Sequence, residues 1–140
     1  MRKESTTPDL LELSRHFVEA SNRLDFDAMT SFYVEDGVFD TSALGMGVFE
    51  GREAIRGFFE DWHRAYENWD QVIEEFHDLG NGVTFAVLLQ RGRPAGSSGF
   101  VAQRYAAVGA WTDGLIEWSM VHTDPDQARA AAERLAEERG

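Results

Sequence analysis

A change of hydrophobic period near the middle of the chain constrains the fold most. Up to about Asn68, apolar residues recur at the three- and four-residue spacings of amphipathic helices. After Trp69 the repeat shortens to two, as in half-buried strands. Helices first and strands afterwards imply an α+β arrangement rather than alternating βαβ units.

Leu10, Leu13, Phe17 and Ser21, widened by Leu11 and Val18, share one stripe and predict a first helix to about Arg23. Thr7-Pro8 reads as its N-cap and first helical position, after a frayed polar segment 1–6. Asp25 caps a second helix, with Phe26, Met29, Phe32 and Tyr33 on its apolar face and Glu35-Asp36-Gly37 ending it. Val38 to Ser42 reads as a short strand and Ala43 to Phe49 as a Gly-rich mobile loop. Gly51 opens a third helix to about Asn68, striped by Ile55, Phe58, Phe59, Trp62 and Tyr66.

Extended segments at about 69–78, 83–93, 99–112 and 115–123 then form a meander, with tight turns at Gly80-Asn81-Gly82 and Asp113-Gly114. Asp124-Pro125 starts a terminal helix through Ala128, Ala131, Ala132 and Leu135. The expectation is a single domain over 1–140. In it a cone-shaped, curved antiparallel sheet wraps around three N-terminal helices as an α+β barrel with a C-terminal helix, and encloses a pocket.

With 25 acidic and 13 basic residues the formal net charge is −12, which disfavours nucleic acid and anionic membrane surfaces as partners. Small molecules or other proteins suit it better. The absence of cysteine excludes disulfides and thiolate chemistry. Apolar stretches such as Val83 to Leu89 fall short of the roughly 20 residues that span a bilayer. The N-terminus lacks the apolar core of a signal peptide, so a cytoplasmic location is expected. Four scattered histidines show no metal-ligand spacing, and no metal or cofactor is expected.

Two residues are candidates for catalysis. In an apolar cavity the Asp40 carboxyl would titrate higher, within reach of proton transfer; alternatively it caps the turn with Thr41 and Ser42. His122 follows Ile116, Trp118 and Met120 on one strand face, beside the expected cavity. Its alternative is a strand-end residue bonding the Asp124 backbone. His63 and His16 read as helix-surface residues. Phe17, Phe58, Trp62, Tyr66, Phe85, Tyr105 and Trp118 are candidate pocket aromatics, or plain core. Gln103 and Arg104 point to opposite faces, and an inward Arg104 would need an acidic partner or anionic ligand. The hairpin after Arg91 and Arg93 opens no helix, so it is not a phosphate loop.

Three segments carry a family resemblance: FYVEDGVFD at 32–40, FEGREAIRGFFEDW at 49–62 and RYAAVGAWTDGLIEWSMVHTD at 104–124. From about Leu10 to Leu135 the chain resembles SnoaL-like or ketosteroid-isomerase-like members of the nuclear-transport-factor-2-like superfamily. The resemblance implies a pocket between three helices and a concave sheet, no obligatory cofactor, and frequent homodimers through the exposed sheet face. It covers isomerases, dehydratases, cyclases, epoxide hydrolases and binding modules. Asp40 falls one residue before the position matching the isomerase base, and a one-residue step reverses a strand's face unless a bulge intervenes. Phe17 and Ala107 stand where the isomerase oxyanion hole would need a Tyr and a protonated acid, so that activity is not expected. The resemblance leaves two expectations: a cofactor-free acid–base enzyme acting on an apolar oxygenated substrate, or a non-catalytic ligand-binding or dimerisation module.

Overall fold

A computed structural model describes residues 9–140; the Thr7-Pro8 helix start and the 1–6 segment lie outside them. Helix α1 (Leu10–Asn22) is capped by Asp9, whose side chain accepts from the Glu12 N–H. Asp25 caps α2 (Phe26–Ser31) in the same way through the Ala28 N–H. The second helix stops short of Tyr33, which instead opens β1 (Tyr33–Asp40). Tertiary pairing decides this: the Ile116 N–H donates to the Phe32 carbonyl and Tyr33 aligns with Ile116.

The expected mobile loop holds a 3-10 turn (Ser42–Leu44) and then β2 (Val48–Glu50), which pairs antiparallel with β1. Helix α3 (Arg52–Arg64) ends earlier than its apolar stripe predicts, because Tyr66 already pairs with Pro94 at the start of β3 (Tyr66–Gly80). Strands β4 (Val83–Pro94), β5 (Val101–Thr112) and β6 (Leu115–His122) complete the sheet, and α4 (Pro125–Arg139) follows. Asp124 caps α4 with Pro125 in its first turn, as the sequence indicates.

The strand order is β2-β1-β6-β5-β4-β3 in one curved sheet that does not close. All pairings are antiparallel except β1 with β6, which is parallel. Asn81 and Gly82, and Asp113 and Gly114, all take positive φ. Two consecutive left-handed residues match the right-handed twist of the flanking strands, so both hairpins turn tightly.

The two faces of the sheet are used differently. Helices α1, α2 and α3 lie over the concave face, where Met29, Tyr33, Ile55, Phe59, Trp111 and Ile116 form the main core cluster. On the convex face, Ala128, Ala132 and Ala136 bring α4 close to Val83, Phe85, Val87 and Val108, with Trp118 and Met120 packed alongside. Small side chains on the contacting stripe let helix and sheet approach closely. The convex face, on which homodimerisation is expected, is therefore partly covered by the chain's own helix.

Candidate functional site

Alternation along the paired strands sorts the concave face into rows. Gln71, Gln90 and Gln103 align across β3, β4 and β5; the next row is Ile73, Leu88 and Tyr105. Phe76, Ala86, Ala107 and Val121 follow, then Thr84, Gly109 and Ser119. All of these line a cavity of about 160 Å³, roofed by Phe17 from α1, Met29 from α2, and Phe58, Phe59 and Trp62 from α3. An apolar cavity of roughly 150 Å³ accommodates benzene, so the space suits about one ring.

No Asp, Glu, Lys or Arg lines this cavity among the described residues. Its titratable groups are Tyr33, His63 and Tyr105. Burial pushes both tyrosine hydroxyls above the ordinary phenol range. Burial also holds His63 below its ordinary range, partly opposed by its bond to the Phe59 backbone. All three groups are thereby held neutral at neutral pH.

A continuous hydrogen-bond chain crosses the cavity wall. His63 Nδ1 lies 2.7 Å from the Phe59 carbonyl oxygen, and its Nε2 lies 3.1 Å from Ser21 Oγ. Gln71 Nε2 and Trp69 Nε1 donate to Ser21 Oγ at 3.1 and 3.3 Å. The Tyr105 hydroxyl donates to Gln71 Oε1 at 2.5 Å. Asn22 fixes the Gln71 backbone, donating to its carbonyl at 3.0 Å and accepting from its N–H at 2.9 Å. Elsewhere on the wall Tyr33 Oη and Ser119 Oγ lie 2.8 Å apart, and Trp111 Nε1 donates to Thr84 Oγ1 at 3.0 Å.

Of the residues singled out in the sequence, Phe17, Phe58, Trp62 and Tyr105 stand on the cavity wall. Tyr66 sits just outside it, between the Trp62 and Trp69 rings. Asp40 points away from the interior, because its inward neighbour is the buried Phe39. Its Oδ1 accepts from the Ser42 N–H at 2.9 Å and from the Ser42 hydroxyl, the capping alternative. His122 Nδ1 accepts from the Asp124 N–H at 2.9 Å at the strand end, again the structural alternative. Asp40 and His122 therefore do not converge on the cavity.

Arg104 lies on the convex face, held by Glu74 at 2.6 and 3.2 Å, and Gln103 takes the inward position. Phe85 and Trp118 pack against α4 instead of the cavity. For Trp118 and His122 the cause is a register shift: Trp111 pairs with Ile116 but Ala110 with Trp118. Glu117 is the extra residue of this bulge, so Ile116 faces inward while Trp118 faces outward.

Several wall residues escape the sequence reading. His63, only 6 % exposed, belongs to the buried row Ile55, Phe59, His63, whose four-residue steps were the available signal. Ser21, fully buried, is the polar residue on an otherwise apolar stripe. Gln71 and Gln90 alternate with the neighbouring strand residues but carry no local mark of their role.

Residues 14–118 match the SnoaL-like domain. The chain belongs to the SnoaL-like domain family. No curated protein matches it in sequence. Among solved structures, it is similar to a hypothetical protein with a ketosteroid isomerase-like fold from Catenulispora acidiphila DSM 44928, in complex with trimethylamine. That match has a TM-score of 0.73 at 17 % identity and covers 86 % of this chain and 92 % of the other. TerC co-crystallised with polyporic acid matches with a TM-score of 0.71 at 12 % identity, over 89 % and 97 % of the two chains. The epoxide hydrolase/cyclase-like enzyme SalBIII, with a role in pyran ring formation in polyether salinomycin, matches with a TM-score of 0.70 at 19 % identity, over 81 % and 89 %. At these identities the likeness establishes the SnoaL-like fold.

Proposed function

We propose that this SnoaL-like protein binds a neutral, largely apolar, oxygenated molecule about one ring in size inside the concave cavity. The observation that carries the reading is a ring-sized interior lined by aromatic and neutral polar side chains, with no charged group among the described residues. An ionic ligand would lose its hydration there without gaining a partner. Small molecules in the structures of two fold neighbours, trimethylamine and polyporic acid, support the use of this fold for ligand binding. Acid–base chemistry on the bound molecule would fall to Tyr33, His63 and Tyr105, the titratable groups of the wall.

Thermal unfolding with and without ligand tests the proposal. A ligand present at ten times its Kd stabilises by about 1.4 kcal/mol, enough to raise Tm by a few degrees. Toluene and phenol should raise Tm in the native protein and benzoate should not. Ala107→Leu, which fills the cavity from its wall, should remove the ligand-dependent rise. A rise with benzoate, or one that survives Ala107→Leu, would refute the assignment.

A further inference from the structure

We infer that the hydrogen-bond chain from Phe59 to Tyr105 fixes the Tyr105 hydroxyl as an acceptor, so that the cavity selects ring ligands that carry a hydrogen-bond donor, such as phenols, enols and cyclic alcohols. This inference rests on the binding function proposed above and names the ligand class of that same site.

The direction of every bond follows from one fixed point. The Phe59 carbonyl can only accept, so the proton of the neutral imidazole sits on Nδ1 and Nε2 is left as an acceptor. Ser21 is the group facing Nε2, and its hydroxyl proton therefore goes to His63. With that proton committed, Ser21 Oγ uses its lone pairs on the Trp69 and Gln71 N–H groups. The end of Gln71 that faces Ser21 must then be its NH₂, which turns its carbonyl oxygen to Tyr105. Tyr105 gives its only proton to that oxygen. What remains for a ligand is the lone pairs of Tyr105 Oη, and no described residue donates to them. The Asn22 bonds to the Gln71 backbone hold this stretch of β3 to α1, so the chain does not relax by moving the strand.

Hydrophobicity alone ranks the probes the other way. Phenol is better hydrated than anisole or toluene, so a cavity offering only apolar contact takes it last. A committed acceptor at Tyr105 reverses that order, and a single neutral hydrogen bond accounts for about a tenfold preference.

Titration of the native protein with toluene, anisole and phenol, each alone, reads the order directly. Phenol is expected to bind about tenfold more tightly than anisole. Tyr105→Phe should abolish that preference, bringing phenol below anisole in affinity. Ser21→Ala, which frees Gln71 and Tyr105 to turn, should reduce the ratio of phenol to anisole affinity. A ¹⁵N NMR spectrum should show His63 as the Nδ1–H tautomer, the fixed point from which the bond directions follow. If toluene binds but phenol never gains over anisole, or if Tyr105→Phe leaves the preference intact, the donor selection fails and the cavity reading stands. The Nε2–H tautomer would also overturn the inference. If none of the three binds, both readings fall together.

Discussion

Ser21 on α1 and His63 on α3 are 42 residues apart in the chain, yet Oγ and Nε2 lie 3.1 Å apart in the interior. Their contact ties two helices to the sheet, because Ser21 also receives the side chains of Trp69 and Gln71 from β3.

Removing that oxygen leaves three buried polar groups without a partner. Ser21→Ala is therefore expected to destabilise by about 1–3 kcal/mol, the cost of unsatisfied buried donors and acceptors, although it deletes one small atom. Urea unfolding measures the change. A loss below about 0.5 kcal/mol, the range of an unremarkable surface substitution, would show that the network does not hold the helices.

The architecture was readable from the sequence because it depends on repeated signals: the α3 stripe, the change to period two, and the Asp124-Pro125 cap. Placement of single side chains depends on single events that such signals do not record. One inserted residue, Glu117, turns Trp118 and His122 to the convex side after Ile116 has faced inward. Tyr33 continues the helical pattern of α2 but is drawn into β1 by pairing with β6, a contact 83 residues away in sequence as Tyr33 aligns with Ile116. Off the stripe of Phe58 and Trp62, His63 reads as a helix-surface residue, yet it is buried. The Ile55, Phe59 and His63 row faces the sheet more directly.

Acid should weaken the fold through His63. Its contacts are Ser21 from α1, Phe26 from α2, Phe59 from α3 and Trp69 from β3, none of them charged. Burial lowers its pKa in the folded state, so the unfolded chain binds more protons once the pH drops below the ordinary histidine value. The stability linked to His63 is full above about pH 6.5 and declines as the pH falls from there towards the depressed folded value. At the alkaline end the raised Tyr33 and Tyr105 values make stability fall as the pH climbs past about 10. Denaturant unfolding across pH checks both limbs. His63→Gln should flatten the slope just below pH 6.5, and an unchanged slope would contradict the assignment.

Neither Asp40 nor His122 reaches the cavity, and Arg104 is committed to Glu74 on the other face. Asp40→Asn, His122→Asn and Arg104→Gln should leave toluene affinity within about twofold of the native protein, in keeping with substitutions that touch no binding group. Calorimetric titration decides it. A tenfold loss in Asp40→Asn would restore the carboxylate to the site.

The sheet keeps α4 packing and ligand binding on opposite faces. Ala128 is fully buried on the sheet-facing side of α4, so Ala128→Leu should cost about 1–3 kcal/mol by overpacking while ligand affinity is unchanged. Gly109 lies on the cavity side, where an added Cβ would sit 2.8 Å from Trp111 Nε1 and 3.0 Å from Thr84 Oγ1. Gly109→Ala should disrupt that bond, lowering both stability and ligand affinity. Parallel unfolding and titration of the two variants separates the faces; equal effects on affinity would contradict the division.

Intermolecular NOEs from bound toluene read out whether a neutral ring enters the concave cavity. NOEs to Met29, Leu88 and Ile116, which line the space, are expected. NOEs confined to Val72, Phe100 and Val101, exposed apolar residues on β3 and at the start of β5, or none at all under conditions where toluene raises Tm, would contradict binding in the cavity.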